Sequence, residues 1–324
     1  MGGITARSIA LIFVTGGTTV ALQARANGEL AVHFGNGVEA ATYSFASGLI
    51  IVLIVALAVP GARAGFPRVI AALRSRELAW WALPAGLLGG TFVAFQAFSV
   101  GIIGVALFAV TVVAAQTVTS VIVDRCGLGP LGVVRVTKRR VVAAVLAVAA
   151  VSLAALPKLE AVQASGMARL ALLASLTAGI LVAVQQAING RVARAAGQPI
   201  TAAVFNFAFG TTLLLGLSGI GLGMGGQISP ASPGPIWMWF GGALGTTFIV
   251  TAAWAVPRFG VLVFALISIA GQLTGALLLD LFIPMPGSTV TWLLVAGAVL
   301  TFVAVAVGTW PRRQAATPSA PTKP

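Results

Sequence analysis

The sequence predicts an all-α integral membrane protein with ten transmembrane helices, built as two inverted five-helix repeats. The first reason is composition: of 324 residues, 59% are hydrophobic and 8% are charged, whereas soluble domains carry about 25% charged residues. The mean hydropathy is +1.05. The second reason is an internal duplication of polar positions, and the third is an uneven distribution of lysine and arginine. So few charges cannot cover a water-facing surface, which excludes a soluble enzyme.

Charged residues and Pro/Gly clusters divide the chain into ten apolar runs, each close to the roughly 20 residues that a spanning helix needs. The runs are approximately 5–26, 38–59, 78–99, 102–123, 140–156, 167–188, 200–222, 237–256, 259–282 and 290–310. No alternating strand pattern of the outer-membrane kind is present, so we expect helices. Arg7 and the triplet Ala24-Arg25-Ala26 also fit a cleavable signal peptide. The duplication runs across that cleavage site and favours a spanning helix.

The second half of the chain repeats the first at polar and glycine positions. A shift of 162 residues superposes Gln23, Asn27, Gly28, Gly35, Phe45 and Gly48 on Gln185, Asn189, Gly190, Gly197, Phe207 and Gly210. A shift of 156 superposes Trp81, Gly89, Gly104, Phe108, Gln116 and Asp124 on Trp237, Gly245, Gly260, Phe264, Gln272 and Asp280. We expect one repeat over 1–160, a second over 161–311, and a disordered tail over 312–324, which is polar and proline-rich.

Each repeat has an odd number of helices, five, so the second copy enters the membrane from the opposite side and is inverted relative to the first. With the N-terminus in the cytoplasm, sixteen of the nineteen lysines and arginines fall on the cytoplasmic side. The other three are Arg25, Lys158 and Arg169. Basic residues concentrate in cytoplasmic loops, so we expect both termini in the cytoplasm of a multi-pass plasma-membrane protein. The net charge of +13 is then a topology signal, and no contiguous basic domain indicates nucleic-acid binding.

Polar side chains inside predicted helices are candidates for substrate binding, since they are costly in hydrocarbon and face a partner or a water-filled path. The candidates are Gln23, Asn27, Gln116, Ser120, Gln185, Asn189 and Gln272. One interpretation is a polar cavity at the interface of the repeats. The other is interhelical hydrogen bonding that stabilises the bundle. Their paired occurrence in both repeats favours the cavity.

Two carboxylates at opposite predicted membrane surfaces are candidates for gating. We expect Asp124 to pair with Arg191 or Arg194 at the cytoplasmic end, and Asp280 to pair with Arg25 at the outer end. The alternative is that both are solvated carboxylates at ordinary helix ends. None of the six acidic residues is predicted at a helix centre, which argues against proton coupling through a mid-membrane carboxylate.

The inventory of reactive residues is small. The chain has one cysteine, Cys126, and one histidine, His33, which excludes an internal disulfide and a His/Cys metal cluster. It has no phosphate-binding loop. We therefore expect no enzymatic activity, no metal and no cofactor. Gly271-x3-Gly275 is a close-packing motif, which we interpret as a helix contact within the chain or across a homodimer.

The repeated pattern Gln-x3-Asn-Gly, at Gln23 and Gln185, together with Gly271-Gln272 and Asp280, resembles a family. This family is the poorly characterised bacterial inner-membrane exporter branch of the drug/metabolite transporter (DMT) superfamily, whose five-helix halves occur separately or fused. The first repeat departs from the pattern at Ala115, where the second has Gly271.

The resemblance implies a ten-helix inverted-repeat transporter with cytoplasmic termini, and it implies no particular substrate. We expect alternating access and export of a small metabolite or drug-like solute, with the lipid bilayer and that solute as partners. A channel and a non-transporting membrane scaffold are the alternatives.

Overall fold

A computed structural model describes residues 4–156, 166–225, 235–282 and 292–309. All regular secondary structure in these ranges is helical. In chain order it comprises α1 (Ala6–Phe13), a π-helical turn (Val14–Thr18), α2 (Thr19–Phe34), α3 (Gly37–Ala58), α4 (Pro60–Arg74), a 3-10 helix (Trp80–Ala85), α5 (Gly86–Cys126), α6 (Lys138–Ala155), α7 (Gly166–Ala196), α8 (Pro199–Gly223), a second 3-10 helix (Ile236–Phe240), α9 (Gly241–Phe259), α10 (Val261–Phe282) and α11 (Trp292–Thr309). The expected boundary between the repeats and the expected tail lie outside the described residues.

Six helical stretches in the described part are long and apolar enough to cross a bilayer. They are Ala6–Ala31, Gly37–Ala58, Gly166–Ala196, Pro199–Gly223, Ile236–Phe259 and Val261–Leu279, with a shorter apolar helix over Val295–Gly308. Helices of this length and apolarity satisfy their backbone hydrogen bonds internally, as the bilayer core requires. The expectation of an all-helical, multi-pass membrane protein is therefore supported.

All 41 residues of Gly86–Cys126 are helical, but the stretch contains a reversal of direction and is not one straight helix. Sixteen residues of straight helix would separate Phe92 from Phe108 by about 24 Å, whereas their ring centroids are 6.1 Å apart. Ser99 donates a hydrogen bond to the carbonyl of Ala171 at 3.0 Å, and Phe108 joins the same cluster on α7 as Ala171. The chain therefore reverses between Phe92 and Phe108, where the sequence predicted the turn between two spans.

Helix α4 was not predicted as an element, because its arginines interrupt the apolar pattern of a spanning helix. It begins with Pro60 in the first turn, where the missing N–H of proline costs nothing. Ala62, Gly65, Val69 and Ala72 form its buried face, at the spacing of one side of a helix. That face lies against α7 and α8, while its arginines remain exposed.

Equivalent glycines end the first long helix of each half. Gly35 has φ +66° and Gly197 has φ +65°, in the left-handed region that glycine adopts without steric cost. Each is followed within two residues by the start of the next helix, α3 or α8. The duplication seen in the sequence is thus reproduced in the backbone conformation.

Helices of one half cross closely over helices of the other half. Gly17 of the π-helical turn lies against α10, where a Cβ atom would be 2.6 Å from the Cα of Gly271. Its counterpart Gly179 on α7 lies equally close to α5, beside the carbonyl of Val112 and Ala115. The π-helical turn of the first half therefore packs on α10 of the second half, and α7 of the second half packs in the same way on α5 of the first half. Gly271 belongs to this crossing, so its close-packing motif makes a contact within the chain.

Helices α3 and α8, which the repeat shift relates, pack against each other in the same way. The rings of Phe45 and Phe207 lie 5.3 Å apart. Phe45 covers Gly210, and Phe207 covers Gly48. Because each pair is related to the other by the 162-residue shift, this contact lies on the approximate two-fold axis between the halves.

Two ends of the bundle are named from here on. The Asp124 end holds Asp124, to which Arg140 and Val261 are hydrogen-bonded, and the loop 127–132, to which Arg191 is hydrogen-bonded. The Trp239 end holds Leu30, Phe34, Ala40, Met238 and Trp239, which form one buried cluster with Tyr43.

Candidate functional site

Predicted binding residues of α7 form a buried cluster with one residue of α8. Gln185 Nε2 donates to Asn206 Oδ1 at 2.8 Å, and Asn189 Nδ2 donates to the same oxygen at 2.9 Å. None of the three residues is more than 3% exposed. Gly89 of α5 lies directly against the Gln185 amide, so the absence of a side chain at Gly89 makes room for that amide. We call Gln185, Asn189 and Asn206 the α7–α8 cluster.

The equivalent residues of the first half form a second cluster. Asn27 of α2 and Ser44 of α3 both lie against Gly241 at the start of α9. Gln23, one turn earlier on α2, lies against Gly245. The 162-residue shift relates Gln23, Asn27 and Ser44 to Gln185, Asn189 and Asn206. We call these three residues the α2–α3 cluster.

The two clusters differ in hydrogen bonding, and they differ in sequence where Ser44 replaces the equivalent Asn206. Asn206 Oδ1 accepts two hydrogen bonds, whereas Asn27 Oδ1 is buried without a partner. Asn206 Nδ2 and Gln186 Nε2 are also buried without partners. A buried polar atom left unpaired costs about 1–3 kcal/mol. Interhelical bonding therefore accounts for the amide nitrogens of Gln185 and Asn189, but it leaves Asn27 Oδ1, Asn206 Nδ2 and Gln186 Nε2 unpaired.

The remaining predicted binding residues lie on α5 and α10. Gln116 Nε2 makes a long hydrogen bond of 3.5 Å to Gln186 Oε1, which links α5 to α7. Ser120 Oγ bonds back to the carbonyl of Gln116 at 2.7 Å within its own helix. Gln272 is half-buried on α10, where its backbone N faces Gly17. The structure thus joins Gln116 to Gln186, the residue that follows Gln185 on α7.

Asp124 does not pair with Arg191 or Arg194, and that prediction is wrong. Its Oδ2 accepts a hydrogen bond from Arg140 Nη1 at 3.0 Å. Its two oxygens also accept from the backbone N–H groups of Val261 and Leu262, at 3.2 and 3.4 Å. Asp124 is 2% exposed, so it is not a solvated carboxylate. It caps the N-terminus of α10, where a negative charge is favourable.

The arginines predicted to gate make other contacts. Arg191 Nη2 donates to the carbonyl of Gly127 at 3.2 Å, and Arg194 Nη1 donates to the carbonyl of Pro130. Arg25 pairs with Glu29 at 3.4 Å and lies 5.8 Å from the centre of the Trp237 ring. The side chain of Asp280 lies outside the described part of the chain, so its pairing with Arg25 stays a prediction.

Three residues of the site were not among the sequence candidates: Ser44, Asn206 and Arg140. Asn206 could have been found, because it is a single amide in an apolar span and aligns with a serine under the repeat shift. Arg140 carried no such signal. Its approach to Asp124 depends on how residues 127–137 turn, including Gly127 at φ +69°. In the part of the chain that the structure covers, no three His, Cys, Asp or Glu residues are grouped to hold a metal ion.

Comparison with known proteins identifies the family. The family model described as "Putative inner membrane exporter, YdcZ" matches residues 8–153 and again residues 170–307. No curated protein matches the chain. A solved structure titled only as a crystal structure of a protein is similar, with a TM-score of 0.62, 17% sequence identity, and coverage of 96% of this chain and 100% of that one. At that identity the similarity shows the fold alone. The two family matches together cover most of the sequence, and the chain therefore belongs to the DMT_YdcZ family.

Proposed function

We propose that this inner-membrane protein is a secondary transporter that exports a small metabolite or drug-like solute by alternating access. The observation that carries the proposal is the pair of buried amide clusters at equivalent positions of the two halves. The family description supports export. Transporters built from inverted repeats bind substrate near the bilayer midplane, at the interface between the repeats.

The proposed architecture has ten spans in two inverted repeats, 1–160 and 161–311, with residues 312–324 as a cytoplasmic tail. The first span is α1 with the π-helical turn and α2, and α5 supplies two spans. The other spans are α3, α6, α7, α8, α9, α10 and α11. We place the Asp124 end in the cytoplasm because Arg68, Arg140, Arg191 and Arg194 lie there. Basic residues favour the cytoplasmic side.

The binding path would run between the two clusters. Asn27 offers an unpaired acceptor, and Asn206 and Gln186 offer unpaired donors. Amides donate and accept hydrogen bonds without carrying charge, so this set suits a polar, uncharged part of a solute. Two described carboxylates of the helices that carry predicted binding residues are already paired, Glu29 with Arg25 and Asp124 with Arg140.

Each end of the path has a contact that would open in turn. At the Asp124 end, the carboxylate holds α5, α6 and α10 together. At the Trp239 end, the Trp239 ring lies 4.9 Å from Tyr43 and 5.9 Å from Phe34, which joins the 3-10 helix before α9 to α2 and α3. Rocking of one repeat against the other would break one contact while the other stays closed.

A purified-protein thermal-shift screen against a metabolite library tests this function, followed by efflux from liposomes for each hit. A ligand at about 100 times its Kd should stabilise the folded protein by about 2.7 kcal/mol. We expect Asn27→Leu to slow efflux of that solute by about tenfold, the equivalent of roughly one lost hydrogen bond. The control Thr177→Val, which removes an exposed hydroxyl bonded within its own helix, should leave efflux unchanged.

The alternatives predict different results. A membrane scaffold predicts that no library solute raises the melting temperature. A channel predicts flux that does not saturate with solute concentration, and it requires a continuous polar lining. Either result, or equal efflux by Asn27→Leu and wild type, would contradict the proposal.

A further inference from the structure

A cavity of about 750 Å³ opens at the Asp124 end, between α4, α7 and the loop 127–132. Three arginines line it: Arg68 on α4, and Arg191 and Arg194 on α7. Glu77 is the one acidic residue of the lining. The ion pairs among the described residues join Arg25 to Glu29 and Arg140 to Asp124, so none neutralises the cavity arginines.

The three guanidinium groups are held in place by backbone carbonyls. Arg68 Nη1 donates to Ala196 at 3.4 Å, and Arg191 and Arg194 donate to loop carbonyls as described above. Arg191 also lies 6.0 Å from the centre of the Trp81 ring. A guanidinium has five N–H donors, so each group keeps donors for a ligand. Side chains already held in position lose less freedom when a ligand binds.

The backbone around the cavity is shaped to leave the arginines room. A Cβ atom on Gly197 would be 2.9 Å from Arg68 Nη1, and Gly197 has the positive φ that glycine tolerates. Gly190 lies against the ring of Pro130, at 3.1 Å from the position of a Cβ. These contacts hold the loop against α7 and fix the carbonyls that orient Arg191 and Arg194.

We propose that this cavity binds an anion bearing carboxylate or phosphate groups. Arginine binds both groups through two parallel hydrogen bonds, and the volume lies in the roughly 300–1,000 Å³ range of small-molecule sites. An organic anion from the cytoplasm and the head group of an acidic lipid share this chemistry. Identification of a soluble anion as the exported solute rests on the proposed function; binding itself does not.

The test uses the purified full chain in neutral detergent and measures its melting temperature. Pyrophosphate and citrate are the soluble probes, titrated at constant ionic strength against sodium chloride, and phosphatidylglycerol in mixed micelles is the lipid probe. We expect the half-maximal probe concentration to rise at least tenfold in Arg191→Gln/Arg194→Gln. It should stay unchanged in Arg63→Gln/Arg74→Gln, which removes the same two positive charges from exposed positions outside the cavity lining. Arg68→Gln serves as a second variant if the double variant does not fold.

The two probe arms identify the source of the anion. Stabilisation by pyrophosphate or citrate that depends on the cavity arginines supports a soluble anion. Stabilisation by phosphatidylglycerol alone, with the same dependence, supports a lipid head group. Equal loss in Arg63→Gln/Arg74→Gln, or no arginine-dependent stabilisation by any probe, overturns the anion site. These readouts involve no transport, so they do not depend on the outcome of the efflux assays.

Discussion

Asp124→Ala should lower the free energy of unfolding by about 3–5 kcal/mol, the usual cost of removing one partner of a buried ion pair. The change leaves Arg140, whose side chain is 15% exposed, without its carboxylate. It also leaves the N–H groups of Val261 and Leu262 without acceptors at the start of α10. The measurement is equilibrium unfolding of the purified protein in mixed micelles.

Two further variants separate charge from hydrogen bonding. Asp124→Asn keeps an acceptor for α10 but removes the charge, so we expect a smaller loss than for alanine. Glu77→Gln removes an exposed carboxylate with no ion pair among the described residues and should change stability by less than about 0.5 kcal/mol. A loss below about 0.5 kcal/mol for Asp124→Ala would show that the buried pair does not stabilise the fold.

Gly86→Ala should destabilise the protein by about 3 kcal/mol, at the upper end of the usual cost of overpacking. A Cβ at position 86 would coincide with the carbonyl of Asn206 and lie 2.9 Å from the backbone N of Gly210. Both obstacles are backbone atoms, so α5 and α8 would have to separate. Gly242→Ala, its repeat-related counterpart, should have a similar effect, because Gly242 lies against the backbone of Ser44 and Gly48.

Gly216→Ala is the matched control on α8, since nothing lies within 4 Å of a Cβ at that position. Alanine in a helix interior is favoured over glycine by about 0.5–1 kcal/mol, so this variant should be neutral or slightly more stable than wild type. Thermal unfolding in detergent measures all three variants. Equal melting temperatures for Gly86→Ala and Gly216→Ala would be inconsistent with the close crossing of α5 and α8.

The sequence predicted those features that depend on local pattern. Apolar run length predicted helical spans, and the repeated Gln-x3-Asn-Gly pattern predicted which residues would form equivalent clusters. Gly35 and Gly197 fall at equivalent positions under the repeat shift, although the helices that they end run eight residues past the predicted ends at 26 and 188. These features follow from hydropathy and from backbone conformation, and both can be read along the chain.

Features that depend on how loops turn could not be predicted in this way. Arg140 reaches Asp124 because residues 127–137 fold back beneath α5, and no periodicity in the sequence indicates that path. Helix α4 was missed because its buried face consists of small residues between arginines. The difference between Asn27 and Asn189 was also missed, since it depends on whether Ser44 or Asn206 lies opposite.

That difference makes the two halves unequal in function under the proposed mechanism. The α7–α8 cluster makes two internal hydrogen bonds and keeps an unpaired donor at Asn206, with a second at the neighbouring Gln186, whereas the α2–α3 cluster keeps an unpaired acceptor at Asn27. We therefore expect the first half to accept a hydrogen bond from the solute, and the second half to donate hydrogen bonds to it.

Thiol labelling at both ends of the path tests alternating access most directly, in a Cys126→Ser background with Ser44→Cys or Ser120→Cys. An impermeant maleimide is applied to intact cells for the first and to inverted membrane vesicles for the second. Trp239→Ala should speed labelling at position 44 and slow it at position 120, because opening the Trp239 end closes the Asp124 end. Asp124→Asn should do the reverse. If each change affects only its own end, the two ends are uncoupled and the protein does not work by alternating access.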